Sequence, residues 1–213
     1  MITEDIYSKY LEMLLQGSKK ECTKITQDLL SQEIEIHDLY VHLFQASMYE
    51  VGKLWEENRI SVAVEHMATA ITEGLLHLVY PQIFAAEHTD KKAVISCVPN
   101  EYHQLGAKMV ADIFELNAWN SYFLGANTPS SELIRMIDEK KPDILGLSMS
   151  LFFSLPHLTS MVEEVRSHYH DLEIVLGGQG FLWGGHDIVK KHNRLQIIGD
   201  LKTLESYIHT RTS

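Results

Sequence analysis

The feature that most constrains this chain is a change of hydrophobic period near Lys91. Before it, apolar residues recur at steps of three and four. After it, short apolar runs alternate with amphipathic stretches. The first period requires helix packed on helix and the second requires a sheet, so one layer cannot serve both. From residue 34 to 55 the apolar positions are Ile36, Leu39, Tyr40, Leu43, Phe44, Met48, Val51, Leu54 and Trp55, which form one helical face. The polar break Glu56-Glu57-Asn58-Arg59 follows, and Ser61 is placed to cap a further helix through Met67, Ile71, Leu75 and Leu78 up to Pro81. Two earlier amphipathic stretches, 6–15 and 22–30, flank Gly17-Ser18. Four helices with short connections predict an antiparallel bundle over residues 1–88.

From residue 93 the run AVISCV has no helical period. The pattern predicts strands at 93–98, 121–124, 144–148, 173–176 and 195–198. Helices are expected at 106–116, 131–139, 157–167, 187–191 (short) and 201–209. Five strand–helix units require right-handed crossovers and a parallel sheet covered on both faces. The expected second domain, residues 92–213, is therefore a doubly wound, flavodoxin-like (Rossmann-type) α/β unit with strand order 2-1-3-4-5. Residues 85–92 read as the linker, and the whole chain reads as an α+β two-domain protein.

Charge narrows the partners. Eighteen Lys and Arg stand against 29 Asp and Glu, a net charge of −11, which repels a phosphate backbone and predicts no direct nucleic-acid contact. No apolar run reaches the ~18 residues that a membrane span needs. The start, MITEDIYSKYLEM, lacks the basic region of a signal peptide, and Cys22 and Cys97 lie in no CxxC pair. A cytoplasmic chain without disulfides or thiolate zinc is expected. The 12 histidines hint at ligand chemistry.

Ligands of such sheets bind beyond the carboxyl ends of the strands, and the unusual residues of this chain collect there. His103 follows the first predicted strand, two positions after Glu101. A carboxylate beside an imidazole fixes the proton on one ring nitrogen and leaves the other for a metal. No further ligands stand at close spacing, so a lone histidine suits a metal already held by a macrocycle. Taken by itself, His103 reads first as an ordinary surface residue of a βα loop and only second as a ligand. Ser148 and Ser150 alternate at the third strand end. Gly177, Gly178, Gly180, Gly184 and Gly185 place five glycines within nine residues, with Gln179 and Phe181 among them, in neither a GxGxxG nor a GxxxxGK[ST] pattern. In the bundle, Glu65 and His66 follow Trp55 by ten and eleven positions across a hairpin. Taken alone, these are a core tryptophan with solvated neighbours.

Together these residues resemble the cobalamin-binding module. Glu101, His103 and Gly106 are similar to its D/E-x-H-x-x-G loop, Ser148 and Ser150 to its S-x-[LTS] strand end, and Gly177-Gly178 to its GG loop. Trp55, Glu65 and His66 resemble the W-x(9)-E-H motif of CarH/LitR-type B12-dependent photoreceptors, as does the stretch from Pro99 to Pro129. The resemblance implies a four-helix cap over a B12-binding domain. It implies His103 as the lower axial ligand of cobalt, with the vitamin's nucleotide tail between the serine and glycine loops. Contacts to the cofactor, adenosylcobalamin, are then expected from Trp55, Glu65, His66, Glu101, Tyr102, Gly106, Ser148, Ser150, Gly177, Gly178, Gln179 and Phe181. No DNA-binding segment precedes the bundle, so output is expected through a protein partner or a change of homo-oligomer, and no catalysis of its own. Light-sensing members carry a histidine directly after the motif tryptophan, where this chain has Glu56. His66 is then the first replacement as upper ligand after the cobalt–carbon bond breaks. The rival reading is a corrinoid methyl carrier of a methyltransferase system. A phospho-receiver is disfavoured because the first strand ends at Val98-Pro99 without an acid cluster; a flavin module stays open on the sheet alone.

Overall fold

The computed structural model describes residues 1–85 and 87–212, the side chain of Thr212 excepted. It divides into two compact units, Met1–Ala85 and Ala86–Ser213.

The first unit is helical. α1 (Glu4–Leu15) packs on α2 (Lys19–Ser31), and both pack on α5 (Val62–Leu76). α3 (Ile36–Leu39) runs through a π-helical stretch (Tyr40–Gln45) into α4 (Ala46–Glu56), which also contacts α5. The unbroken α-helix expected from the periodicity thus holds one wider segment, and it carries the fully buried Tyr40, Leu43 and Phe44. Thr3 and Ser61 cap α1 and α5: their side chains accept the N–H groups of Ile6 and Val64, each at 3.4 Å. Gly17 turns the chain at φ +73°, where a Cβ would lie 2.4 Å from Met67 Sδ. Pro81 does not end the helical path. A 3-10 turn (His77–Val79) leads into α6 (Tyr80–Ile83), and Pro81 sits in the first turn of α6, where its missing N–H costs no helical bond.

Ala86, within the expected linker, lies outside the described residues. The chain after it is already fastened to the second unit. Thr89 N–H donates to Ala118 O (2.7 Å), Asn120 Nδ2 donates to Thr89 O (2.6 Å), and His88 Nε2 lies 2.5 Å from Glu115 Oε2.

The second unit runs β1 (Lys92–Cys97), α7 (Leu105–Leu116), β2 (Asn120–Phe123), α8 (Ser130–Lys140), β3 (Ile144–Ser148), α9 (Leu155–His168), β4 (Glu173–Gly177), β5 (Leu195–Ile197) and α10 (Leu201–Thr212). All pairings are parallel and the order is β2-β1-β3-β4-β5, as the alternation predicts. The stretch at 187–191 is a 3-10 turn (His186–Lys190) instead of an α-helix, and two further 3-10 turns, Phe152–Ser154 and Gln179–Trp183, follow β3 and β4. β1 and β3 are covered on both faces, with Val94, Ile95, Leu145 and Leu147 buried. Gly146 makes room for this: a Cβ there would meet Ile95 Cδ1 at 2.6 Å. The register sets Cys97, Ser148 and Gly177 side by side at the carboxyl end of the sheet. The loops that leave these three residues therefore start from one line.

Candidate functional site

The loop after β1 opens with a tight turn. Glu101 N–H donates to Val98 O (3.1 Å), and Asn100 has φ +63°. Proline at the second position holds φ near −65°, and a positive φ at the third then defines a type II turn. The turn sends the Glu101 side chain into a fully buried position. Its Oε2 accepts the N–H groups of Ser150 (2.9 Å) and Leu151 (3.0 Å), beyond β3. Its Oε1 accepts His103 N–H (3.0 Å) and lies 2.6 Å from His103 Nδ1. Burial alone would push this carboxyl up. The hydrogen bonds from the His103 ring and from the His103 and Leu151 backbone, with the charge of His103, outweigh it and hold Glu101 below the usual carboxylate range. The His103 side chain is half exposed, while the carboxylate behind it is wholly enclosed. Ser150 Oγ donates to His103 O (3.4 Å) and the Cys97 thiol lies 3.9 Å from the same carbonyl.

The other expected residues of this unit fall around that pair. Tyr102 is 67 % exposed. Gly106 is in the first turn of α7, and no heavy atom lies within 4 Å of where its Cβ would stand. Ser148 is buried between β1 and β4. Gly177 closes β4, Gln179 is exposed, and Phe181 is buried with its ring 6.0 Å from that of His186. Contacts within the chain account for several glycines of this loop. A Cβ on Gly178, where φ is +106°, would lie 2.3 Å from Met149 O, and one on Gly180 would lie 2.8 Å from Met149 Cε. The loop after β4 is thus pressed onto the loop after β3, whereas open space is kept at Gly106.

In the first unit Trp55 is the penultimate residue of α4 and 44 % exposed. Glu65, in the first turn of α5, accepts from Thr69 Oγ1 (3.0 Å) through Oε1, and its Oε2 lies 2.5 Å from Nδ1 of the exposed His66. The turn 57–61 joins the two packed helices, so the tryptophan and the Glu65-His66 pair flank one turn. Glu56 is the last residue of α4.

Two asparagines were not foreseen. Asn127, at φ +49° in the loop after β2, accepts Asn100 N–H through Oδ1 (2.8 Å) and donates its own N–H to Glu101 O (2.9 Å). Asn100 Nδ2 lies 3.2 Å from His157 Nε2 in the first turn of α9. The sequence signal was available: Pro-Asn and Asn before Thr-Pro are turn formers that tolerate positive φ.

The donor set tests which metal this site suits. Among the described residues no group of three or more His, Cys, Asp or Glu could hold a metal ion. One imidazole with its Nδ1 on a buried carboxylate does not retain a bare ion, but it fits a metal that brings its own further ligands, and Gly106 puts no side chain beside it. No helix among the described residues is long and apolar enough to cross a membrane.

Comparison with known proteins agrees. Two family models, both described as B12 binding domain, match residues 6–80 and 91–194. The HTH-type transcriptional repressor CarA of Myxococcus xanthus is 26% identical over 122 residues, 57% of this chain and 42% of CarA. The repressor CarH of the same organism is 27% identical over 99 residues, 46% of this chain and 32% of CarH, so the chain spans less than half of either repressor. Trimethylamine corrinoid protein 1 of Methanosarcina acetivorans is 21% identical over 169 residues, 76% of this chain and 77% of that protein. In fold, the chain is similar to the Methanosarcina barkeri monomethylamine corrinoid protein, with a TM-score of 0.82 at 12% identity over 99% of this chain and 100% of that one. With both units matched, the chain belongs to the B12-binding family.

Proposed function

We propose that this protein is a cobalamin-responsive regulator that holds adenosylcobalamin through His103 and signals through a protein partner or a change of its own assembly. The observation that carries the reading is the buried Glu101 carboxylate set 2.6 Å from Nδ1 of the half-exposed His103. Glu101 keeps the imidazole proton on Nδ1 and fixes the ring, so Nε2 is the nitrogen offered to cobalt. When bound, the cofactor supplies a cobalt–carbon bond that light or ligand exchange breaks. Trp55, Glu65 and His66 are assigned to the upper ligand. Trp55 offers a broad apolar face suited to an adenosyl group, Glu65 orients His66, and His66 replaces the histidine that Glu56 displaces. A switch needs contacts that differ in free energy between its two states, and these three side chains would supply them. The net charge of −11 argues against direct DNA binding, and output by contact with a protein partner in the cytoplasm is the route proposed. The two repressor relatives support a regulatory role.

One observation favours a second reading. The alignment with the trimethylamine corrinoid protein runs over 77% of that protein, which supports a methyl carrier for a methyltransferase. The test separates them. The apo-protein is loaded with adenosylcobalamin in the dark, and its absorbance spectrum and elution volume are recorded before and after green light. A histidine-ligated spectrum, lost in His103→Ala, with a light-dependent elution shift, is the expected result. Stable binding with no shift, together with methyl transfer from methylcobalamin to an acceptor protein, would replace the regulator by the carrier.

A further inference from the structure

On the reading of His103 as the axial ligand, we infer that Asn127 is a positioning residue for it, clamping the turn after β1 at the Asn100 N–H and the Glu101 carbonyl so that Glu101 and His103 are held in their places. Type I and type II turns share their end residues and differ by turning over the middle peptide. In the turn Val98-Pro99-Asn100-Glu101 that peptide carries the Asn100 N–H, and Asn127 Oδ1 accepts it at 2.8 Å. The bond exists only in the type II arrangement seen here, with Asn100 at φ +63°. Asn127 also donates its N–H to Glu101 O at 2.9 Å, so one residue grips both the middle and the end of the turn. Asn100 Nδ2, 3.2 Å from His157 Nε2, adds a tie to α9. Without the Oδ1 acceptor the middle peptide is no longer tied to the loop after β2, and the turn that carries Glu101 gains play. The carboxylate would then hold the Ser150 and Leu151 N–H groups and the His103 Nδ1 less firmly. The bonds of Asn127 go to the turn, and through the turn it acts on His103.

The choice of substitution separates hydrogen bonding from backbone strain. Asn127→Gly keeps the positive φ at no steric cost but removes the acceptor. Asn127→Asp keeps an acceptor and tolerates the same conformation. Both variants are expected to fold, as checked by cooperative thermal unfolding of the apo-proteins. In the dark, Asn127→Gly should raise Kd for adenosylcobalamin about five-fold, the factor set by one neutral hydrogen bond, and shift its spectrum toward the form without histidine. Asn127→Asp should restore both. On a His103→Ala background, Asn127→Gly should change Kd by less than about two-fold, because its effect passes through the histidine. Wild-type affinity and spectrum in Asn127→Gly, or an equal loss on the His103→Ala background, would overturn the inference while leaving the ligand assignment standing. Coincident spectra of wild type and His103→Ala would overturn both.

Discussion

Replacing Glu101 by glutamine tests whether the buried carboxylate is the joint between the first and third loops. The side chain is fully buried and takes three backbone N–H groups besides the His103 ring. An amide has one oxygen. Turned toward Ser150 and Leu151, it keeps two bonds and points its NH2 at the His103 N–H, donor against donor. Turned the other way, it strands two N–H groups instead of one. The better orientation leaves one buried N–H without an acceptor, at ~1–3 kcal/mol. The two surviving bonds lose their charge assistance, together ~1 kcal/mol more. The half-exposed imidazole can turn to water and adds little. Glu101→Gln should therefore lower the unfolding free energy of the apo-protein by ~2–4 kcal/mol, a large part of the ~5–15 kcal/mol available to such a chain. Urea unfolding at neutral pH, followed by circular dichroism and extrapolated to water, measures it. A loss below ~1 kcal/mol would refute the reasoning, for the loop would then close without its carboxylate.

Two glycines of the proposed site should behave oppositely. Gly178→Ala puts a methyl 2.3 Å from Met149 O at φ +106°, so it should cost at least ~2 kcal/mol of stability and lower the melting temperature of the apo-protein by several degrees. Gly106→Ala enters open space in a helical turn and should leave the apo-protein unchanged or up to ~1 kcal/mol more stable, yet weaken adenosylcobalamin binding; unchanged binding would remove Gly106 from the site. Burial, reinforced by the charge of Glu101, pushes the Cys97 thiol up to about 12, and burial pushes Cys22 up to about 11. A raised thiol pKa leaves little thiolate near pH 8, so neither cysteine of the native protein should consume a thiol reagent there, while both should react in denaturant. Rapid reaction of Cys97 in the folded protein would show that the loop around it opens.

What could be read in the sequence follows from what side-chain pattern encodes. β3 was found at its observed limits because a strand buried on both faces reads as a short apolar run, here ILGLS, entered from the polar Asp143 and closed by Ser148. The strand order is the flavodoxin-like one expected for an open doubly wound sheet; right-handed crossovers limit the possible orders but do not choose this one alone. The π-helical stretch at Tyr40–Gln45 was invisible because the same buried positions satisfy an ordinary helical face. Pro81 misled because proline stops a helix from the inside but is accommodated in a first turn. The Glu101–His103 pairing was legible from two-residue spacing. The other half of that carboxylate's environment was not, because it consists of the Ser150 and Leu151 backbone N–H groups, which any residue but proline would supply. The glycine loop shows the converse: its composition was conspicuous, yet for Gly178 and Gly180 the contact that demands glycine is Met149.

These contacts explain what a glutamate does at position 101 that the shorter aspartate would not do equally well. From the turn after β1, the carboxylate must reach the His103 backbone and ring with one oxygen and the N–H groups beyond β3 with the other. Removing one methylene draws both oxygens back toward the β1 loop, so an aspartate would not reach both sets of donors at the distances seen here. With glutamate, the His103 loop is joined to Leu151 and so to the Phe152–Ser154 turn, and the Phe152 ring lies against Gly184 of the loop after β4. Contiguity alone does not make a switch; an element with two discrete arrangements is required. The turn at Val98-Pro99-Asn100-Glu101 is the element here that could meet this requirement, since the middle peptide of a β-turn can take either of two orientations and Asn127 accepts from the one seen.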